Sequence, residues 1–97
     1  MIFEKYKVYH WKEEHSDGEI LEDVVFTVGI DKTSSPHVLQ IRSLQLRSIK
    51  SDMVEGRFYP YKYYYNNNSI TYTIKEITPT DAEKTMIFDE VFKGLIG

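Results

Sequence analysis

The spacing of apolar residues changes once along this chain of 97 residues, and that change constrains the fold more than any other feature. Ile70, Tyr72 and Ile74 alternate with polar residues, which is the period of two typical of a strand with one buried face. After Thr78, which suits an N-cap, and Pro79, which suits a first helical residue, the period becomes about 3.6 residues. The chain is therefore predicted to form its strands first and a helix last.

The predicted helix has a second start signal, an apolar side and a stop signal. Thr80 with Glu83 offers a capping box as the alternative start. Gly94 is predicted to end the helix, and Met86 is predicted to lie exposed on its polar side. The residues predicted to share the apolar side are Ile87, Phe88, Val91, Phe92 and Leu95.

The first two strands are predicted to form a hairpin. Residues 3–12 and 20–30 are rich in aromatic and β-branched side chains. Asp17–Gly18 between them is a strong signal for a two-residue turn, since both positions tolerate a positive φ. Such a turn sets Trp11 opposite Val24, and this register keeps the large apolar side chains on one face.

The third segment is predicted as a strand, with a helix left open as the alternative. Within residues 37–50 the parity of the apolar positions changes between Ile41 and Leu44. A bulge near Arg42–Ser43 would restore a single buried face. A short helix would instead place apolar residues nearly all round, with an arginine among them.

The fourth strand, predicted over residues 53–65, carries Pro60 and is therefore expected to be an edge strand or to be bulged there, because proline has no N–H for a ladder. An edge strand can accept a strand from a partner or resist it. A homo-oligomer through an edge strand is therefore left open.

Six of the eight tyrosines lie between residues 59 and 74. A two-residue turn at Asn67–Asn68 pairs the fourth strand with the fifth and sets Tyr63 opposite Tyr72. The tyrosines at 61, 63 and 65 are then predicted to face the core beneath the helix. Tyr64 points outward in this register and is the clearest candidate for an exposed ring.

These patterns define one expected fold class. Residues 1–97 form a single α+β domain, a five-stranded antiparallel meander with a C-terminal amphipathic helix packed on one face. A hydrophobic fraction of 41% is that of a globular chain.

The residue types exclude several kinds of chemistry. The chain has no cysteine, which excludes disulfides and thiolate zinc sites. His10 and His15 have opposite parity in an extended strand, so the polar hairpin tip is predicted to be a solvated turn and not a metal site. No glycine-rich phosphate loop and no nucleophile motif occurs. No catalytic residue, metal ligand or cofactor is therefore assigned.

The formal net charge is −3, but the middle of the chain is basic. Residues 32–63 carry six Lys and Arg against two acidic residues, which is a net charge of +4. No run approaches the ~20 apolar residues of a membrane helix, and charges interrupt the N-terminal segment. The expectation is a cytoplasmic protein that does not enter a membrane.

The function predicted from these features is non-catalytic binding of a protein partner. Tyrosine is enriched at interfaces because its ring gives contact area and a hydrogen bond at little entropic cost. Base rates for small, acidic, tyrosine-rich chains suggest a phage or mobile-element accessory or inhibitor protein.

The main alternative is a single-stranded nucleic-acid binder that uses the basic, tyrosine-rich middle of the sheet. A sequence pI of about 5.6 argues against it. A small enzyme of unidentified class is the third hypothesis. The residues predicted to contact a partner, protein or nucleic acid, are Arg42, Arg47, Arg57, Tyr59, Lys62 and Tyr64.

Overall fold

Five strands and a C-terminal helix follow one another as the sequence pattern predicts. The structure is a computed structural model that describes residues 4–35, 37–50 and 56–96, with side chains described as far as residue 91. The predicted α+β class, an antiparallel sheet with one C-terminal helix, is confirmed. The elements are β1 (Val8–His15), β2 (Ile20–Lys32), β3 (Leu39–Ser48), β4 (Arg57–Tyr65), β5 (Ile70–Glu76) and α1 (Asp81–Ile96).

The strand order differs from a simple meander at one strand. The order in the sheet is β4-β3-β2-β1-β5, so β5 pairs with β1 and not with β4. Trp11 of β1 lies opposite Ile74 of β5, and the predicted pairing of Tyr63 with Tyr72 is wrong. The physical reason is the curl of the sheet, which brings the end of β4 close to the start of β5 although they are opposite edges: the rings of Tyr65 and Tyr72 are 5.1 Å apart. A short connection can therefore join the two strands, and their described residues form no ladder.

The turn between β1 and β2 has three residues and not two. His15 N–H donates to the carbonyl of Glu19 at 2.8 Å, and Gly18 adopts a φ of 91° inside this loop. The register is therefore one residue away from the predicted one, and Trp11 lies opposite Asp23 instead of Val24. The shift places a carboxylate on the same face of the sheet as the tryptophan.

One face of the sheet, the tryptophan face, curls around Trp11. In a flat sheet β1 and β4 would lie about 14 Å apart, three strand spacings. The rings of Trp11 and Tyr63 are nevertheless only 5.5 Å apart between centroids, and Tyr72 contacts the same indole at 6.0 Å. The buried residues of the tryptophan face are Tyr9, Trp11, Val25, Ile41, Tyr63 and Ile74.

The other face, the helix face, packs against α1. Met86 and Ile87 contact it, so the prediction of an exposed Met86 is wrong, and the expectation that the helix covers the tyrosines is wrong as well. Phe88 and Val91 are exposed, while the side chains of residues 92 and 95 lie outside the described residues. The buried residues of the helix face are Val8, Val24, Phe26, Leu44 and Leu46.

The two faces explain the change of parity in β3. This segment is a strand, as predicted, and its residues Ile41 and Leu44 belong to different cores. The β2–β3 ladder is irregular opposite Arg42–Ser43, but the extra residue is Val28 of β2. Apolar residues of both parities are thus buried because the sheet has an apolar core on each side.

The helix begins at the capping box. Thr80 N–H donates to Glu83 Oε1 at 2.9 Å, and Glu83 N–H donates to Thr80 Oγ1 at 3.1 Å, so the alternative start at Thr80 is confirmed. The predicted start with Thr78 as the N-cap and Pro79 as the first helical residue is wrong, because the helix begins at Asp81. The helix does not end at Gly94 but continues to Ile96.

Strand β4 is an edge strand, as Pro60 predicts. Its register with β3 slips between Tyr59 and Tyr63, so three residues of β4 lie opposite Arg42 alone. The bulge turns Tyr61 out of the predicted core. Residues 51–55, which hold the start of the predicted fourth strand, lie outside the described residues.

Tyr61→Ala and Tyr63→Ala form a matched pair on the same strand. Tyr63 is fully buried, so we expect its removal to lower the free energy of unfolding by about 3–5 kcal/mol. Tyr61 is 73% exposed, and its removal is expected to change that free energy by no more than about 0.5 kcal/mol. Urea unfolding followed by the fluorescence of Trp11 measures both, and equal losses would contradict the curled sheet.

Candidate functional site

The exposed residues of β4 are of the types that interfaces favour. Phe58 is 47% exposed and Tyr61 is 73% exposed, and Arg57 is exposed as well. Phe58 lies opposite Leu44 of the helix face, whereas Arg57 lies opposite Gln45 of the tryptophan face, so these residues flank both faces of the edge strand. Strand β4 contains two basic residues and no acidic one, in a chain with a net charge of −3. We call Arg57, Phe58 and Tyr61 the β4 surface.

Tyr59 lies beneath two cations. Arg57 Cζ is 5.3 Å from the centroid of its ring, and Lys62 Nζ is 4.5 Å from it. The same ring packs edge-on against Tyr63 at 6.5 Å. Tyr59 therefore uses its ring to hold the side chains of β4 in place, which leaves less of it to stack on a base.

Lys62 reaches into a buried polar network on the tryptophan face. Its Nζ donates to Gln45 Oε1 at 3.2 Å and lies 3.8 Å from Asp23 Oδ2. Asp23 is 2% exposed, and it accepts hydrogen bonds from Tyr63 at 2.8 Å and from Gln45 at 3.2 Å. Because an uncompensated buried carboxylate is costly, Lys62 is held here by the charge of Asp23.

The network keeps Tyr63 protonated. Burial raises the pKa of the Tyr63 hydroxyl well above its usual range, and the neighbouring charge of Asp23 raises it further. The phenol is thus a fixed donor to the carboxylate and not a group that loses its proton near neutral pH.

Arg42 and Arg47 lie away from the other predicted contact residues. Arg42 Nε forms an ion pair with Asp31 Oδ2 at 2.7 Å. The Arg42 guanidinium also packs against Gly29, and a Cβ at this glycine would clash with the guanidinium. Arg47 pairs with Val24, a residue of the helix face. The structure therefore brings Arg57, Tyr59 and Lys62 together and leaves both other arginines on the opposite face.

Tyr64 lines a cleft and is half-buried, so it is not the open ring that the predicted register implied. The cleft has a volume of about 410 Å³, and Lys62 and Asn67 form part of its wall. Its most buried group is Glu13, which accepts hydrogen bonds from Trp11 Nε1 at 2.7 Å and pairs with His15 Nε2 at 2.9 Å. The carboxylate in this wall is thus already satisfied from within the protein.

Asp23 and Glu13 are buried carboxylates of the tryptophan face that the sequence prediction missed. Glu13 stands two positions after Trp11, so alternation along β1 puts both on one face. Asp23 has the parity of Val25, but the assumed two-residue turn hid its place opposite Trp11. A three-residue turn would have revealed Asp23, whereas alternation along β1 was enough to place Glu13.

The histidines of β1 are held by carboxylates on opposite faces. His10 Nε2 lies 2.7 Å from Glu22 Oε2, whereas His15 contacts Glu13. Among the described residues no group of three metal-ligating side chains comes together. No helix in the described part of the chain is both long and apolar enough to cross a membrane.

No family model, no curated protein sequence and no solved structure matches this chain.

Tyr63→Phe tests the buried network. The raised pKa of Tyr63 in the fold means that its contribution to stability is present below the unfolded value of about 10 and is lost as pH rises above it. The wild type should lose up to about 1.4 kcal/mol per pH unit through this group there. We expect Tyr63→Phe to cost about 1–3 kcal/mol at neutral pH, because Asp23 loses a donor.

The measurement is urea unfolding of both proteins from pH 7 to pH 11. The difference between wild type and Tyr63→Phe should shrink above pH 10, since only the wild type carries the titrating hydroxyl. A constant difference over this range would contradict the assigned role of Tyr63.

Proposed function

We propose that this protein is a non-catalytic binding protein whose partner is another protein, contacted through the β4 surface. The observation that supports it is the exposure of Phe58 and Tyr61 on an edge strand, next to Arg57. Aromatic residues and arginine dominate the binding energy of interfaces, whereas acidic residues are depleted there. The partner is expected to present an acidic or neutral surface with a pocket for an aromatic ring.

The contact uses side chains and not added backbone. Pro60 has no N–H to donate, and the bulge between Tyr59 and Tyr63 interrupts the edge after three regular residues on either side. Such features resist the addition of a strand. The same bulge turns Tyr61 outward. It therefore disfavours the addition of a strand and exposes a ring for contact through side chains.

We also propose where this protein acts and from what kind of genome it comes. A cytoplasmic site of action fits a cysteine-free chain. An accessory or inhibitor role in a phage or mobile element is the corresponding biological prediction, and it rests on composition alone. The small-enzyme hypothesis has no assigned residues.

Affinity capture from the native host with matched variants tests the proposal. The double change Phe58→Ser and Tyr61→Ser removes both aromatic rings of the β4 surface. The control, Tyr6→Ser with Ile20→Ser, removes two apolar side chains that are exposed elsewhere. We expect a partner that wild type and control retain, and that the β4 variant binds at least about tenfold more weakly.

Circular dichroism should show both double variants folded. A specific partner that the β4 variant retains undiminished would contradict the assigned surface. Failure of the wild type to retain any partner would contradict protein binding itself.

The nucleic-acid alternative is favoured by one observation, the two cations around Tyr59. It is disfavoured because the Tyr59 ring is already covered and Lys62 is held by Asp23. We expect labelled single-stranded DNA and RNA to show no binding even at low salt. Binding that falls steeply with salt and weakens in Arg57→Gln would instead support the alternative.

A further inference from the structure

The outer edge of β5 has backbone groups that no other strand within the described residues uses. Ile77 N–H donates to the carbonyl of Val8 at 3.0 Å, and Ser16 N–H donates to the carbonyl of Ser69 at 3.2 Å. The backbone groups of the odd-numbered residues of β5 therefore form hydrogen bonds with β1. Hydrogen-bonded and non-bonded pairs alternate in an antiparallel ladder. The N–H and C=O groups of Tyr72, Ile74 and Glu76 therefore point away from β1, toward the edge of the sheet.

Unlike β4, this edge carries almost none of the features that block pairing. Its seven residues pair with β1 without a register shift, and they include no proline and no glycine. The charges of β5 are confined to its last two residues, Lys75 and Glu76. Glu76 lies 3.5 Å from Lys7 of the same chain, which partly neutralises it.

The sequence of β5 is complementary to itself. Thr73 is the middle residue of the strand, so an antiparallel pair centred on it uses the strand from end to end. Thr73 then faces its own copy, and Thr71 faces Lys75 of the second copy. Tyr72 lies beside Ile74 of the second copy, and no two like charges stand opposite each other.

Thr71, Thr73 and Lys75 are all exposed in the isolated chain, so a second copy would meet their side chains without rearrangement of the core. Threonine pairs directly across two strands are favourable, whereas like charges there are not. Pairing would also satisfy the outward N–H and C=O groups of Tyr72, Ile74 and Glu76.

We propose that two copies of this chain form a homodimer by antiparallel pairing of their β5 edges, centred on Thr73, so that their two sheets become one continuous sheet. The proposal goes beyond protein binding at β4, because β4 and β5 lie at opposite ends of the strand order. The β4 surface of each copy would stay available for a different partner.

Two glutamate substitutions on the same strand test both the dimer and its register. Thr73→Glu sets two carboxylates against each other across the dimer axis, and we expect it to weaken dimerisation roughly tenfold. Thr71→Glu sets a carboxylate against Lys75 of the second copy, so the dimer should be as tight as in wild type or tighter. Residue 71 also lies opposite Glu14 of its own chain, so this variant is expected to lower the stability of the monomer without weakening the dimer. Sedimentation equilibrium over a range of concentrations measures each dissociation constant.

A mixture of Thr73→Glu and Thr73→Lys provides the complementary test. The opposite charges should restore the dimer to at least its wild-type stability, because they would face each other at the axis. Circular dichroism and thermal unfolding of each variant establish that the monomer is folded. Within each chain residue 73 lies opposite Lys12. The folded monomer is therefore expected to be more stable with glutamate than with lysine at this position.

A wild-type chain that stays monomeric at the highest soluble concentration would overturn the proposal. So would a dimer that Thr73→Glu leaves intact. Equal weakening by Thr71→Glu and Thr73→Glu would overturn the register centred on Thr73. None of these results bears on binding at β4, which the Phe58 and Tyr61 variants test separately.

Discussion

The pairing of β5 with β1 determines which strands lie inside the sheet and which form its edges. It places β1 inside the sheet and leaves β4 and β5 as the two edges. Trp11 then contacts Tyr63 of one edge strand and Tyr72 of the other, because the sheet curls around its indole. The Tyr72 hydroxyl donates to the carbonyl of Tyr64 and links the edges near the connection between them. Both proposed contact surfaces exist only because these edges do not form a ladder with each other.

The same arrangement divides the basic and aromatic residues of the chain between interior and surface. Tyr63 and Lys62 are committed to the buried carboxylate of Asp23, so they stabilise the curled sheet. Phe58 and Tyr61 stand outside that network, where their apolar surface has no structural use within the described residues. A protein interface is the usual role of such exposed rings, which is why we propose it in preference to nucleic-acid stacking.

Periodicity and local turn chemistry predicted the element types but not their arrangement. The strands, the capping box at Thr80 and the edge position of Pro60 follow from local preferences, which a sequence displays directly. The place of β5 depends on the curl, which arises from packing around Trp11 and has no local signal. The prediction missed Asp23 because it assumed one residue too few in the first turn. A register shift of one residue moves every side chain of a strand to the other face. The contact residues were predicted by charge and composition, so Arg57, Tyr59 and Lys62 were grouped with arginines that the structure places on the opposite face.

Strand β5 pairs with β1, and among the described residues β4 has no strand on its outer side. Nuclear Overhauser effects between α-protons test this pairing directly, because α-protons approach closely at the non-hydrogen-bonded pairs of an antiparallel ladder. We expect such contacts between Trp11 and Ile74 and between Glu13 and Tyr72. Contacts between the α-protons of β4 and β5, such as those of Tyr63 and Tyr72, would contradict it.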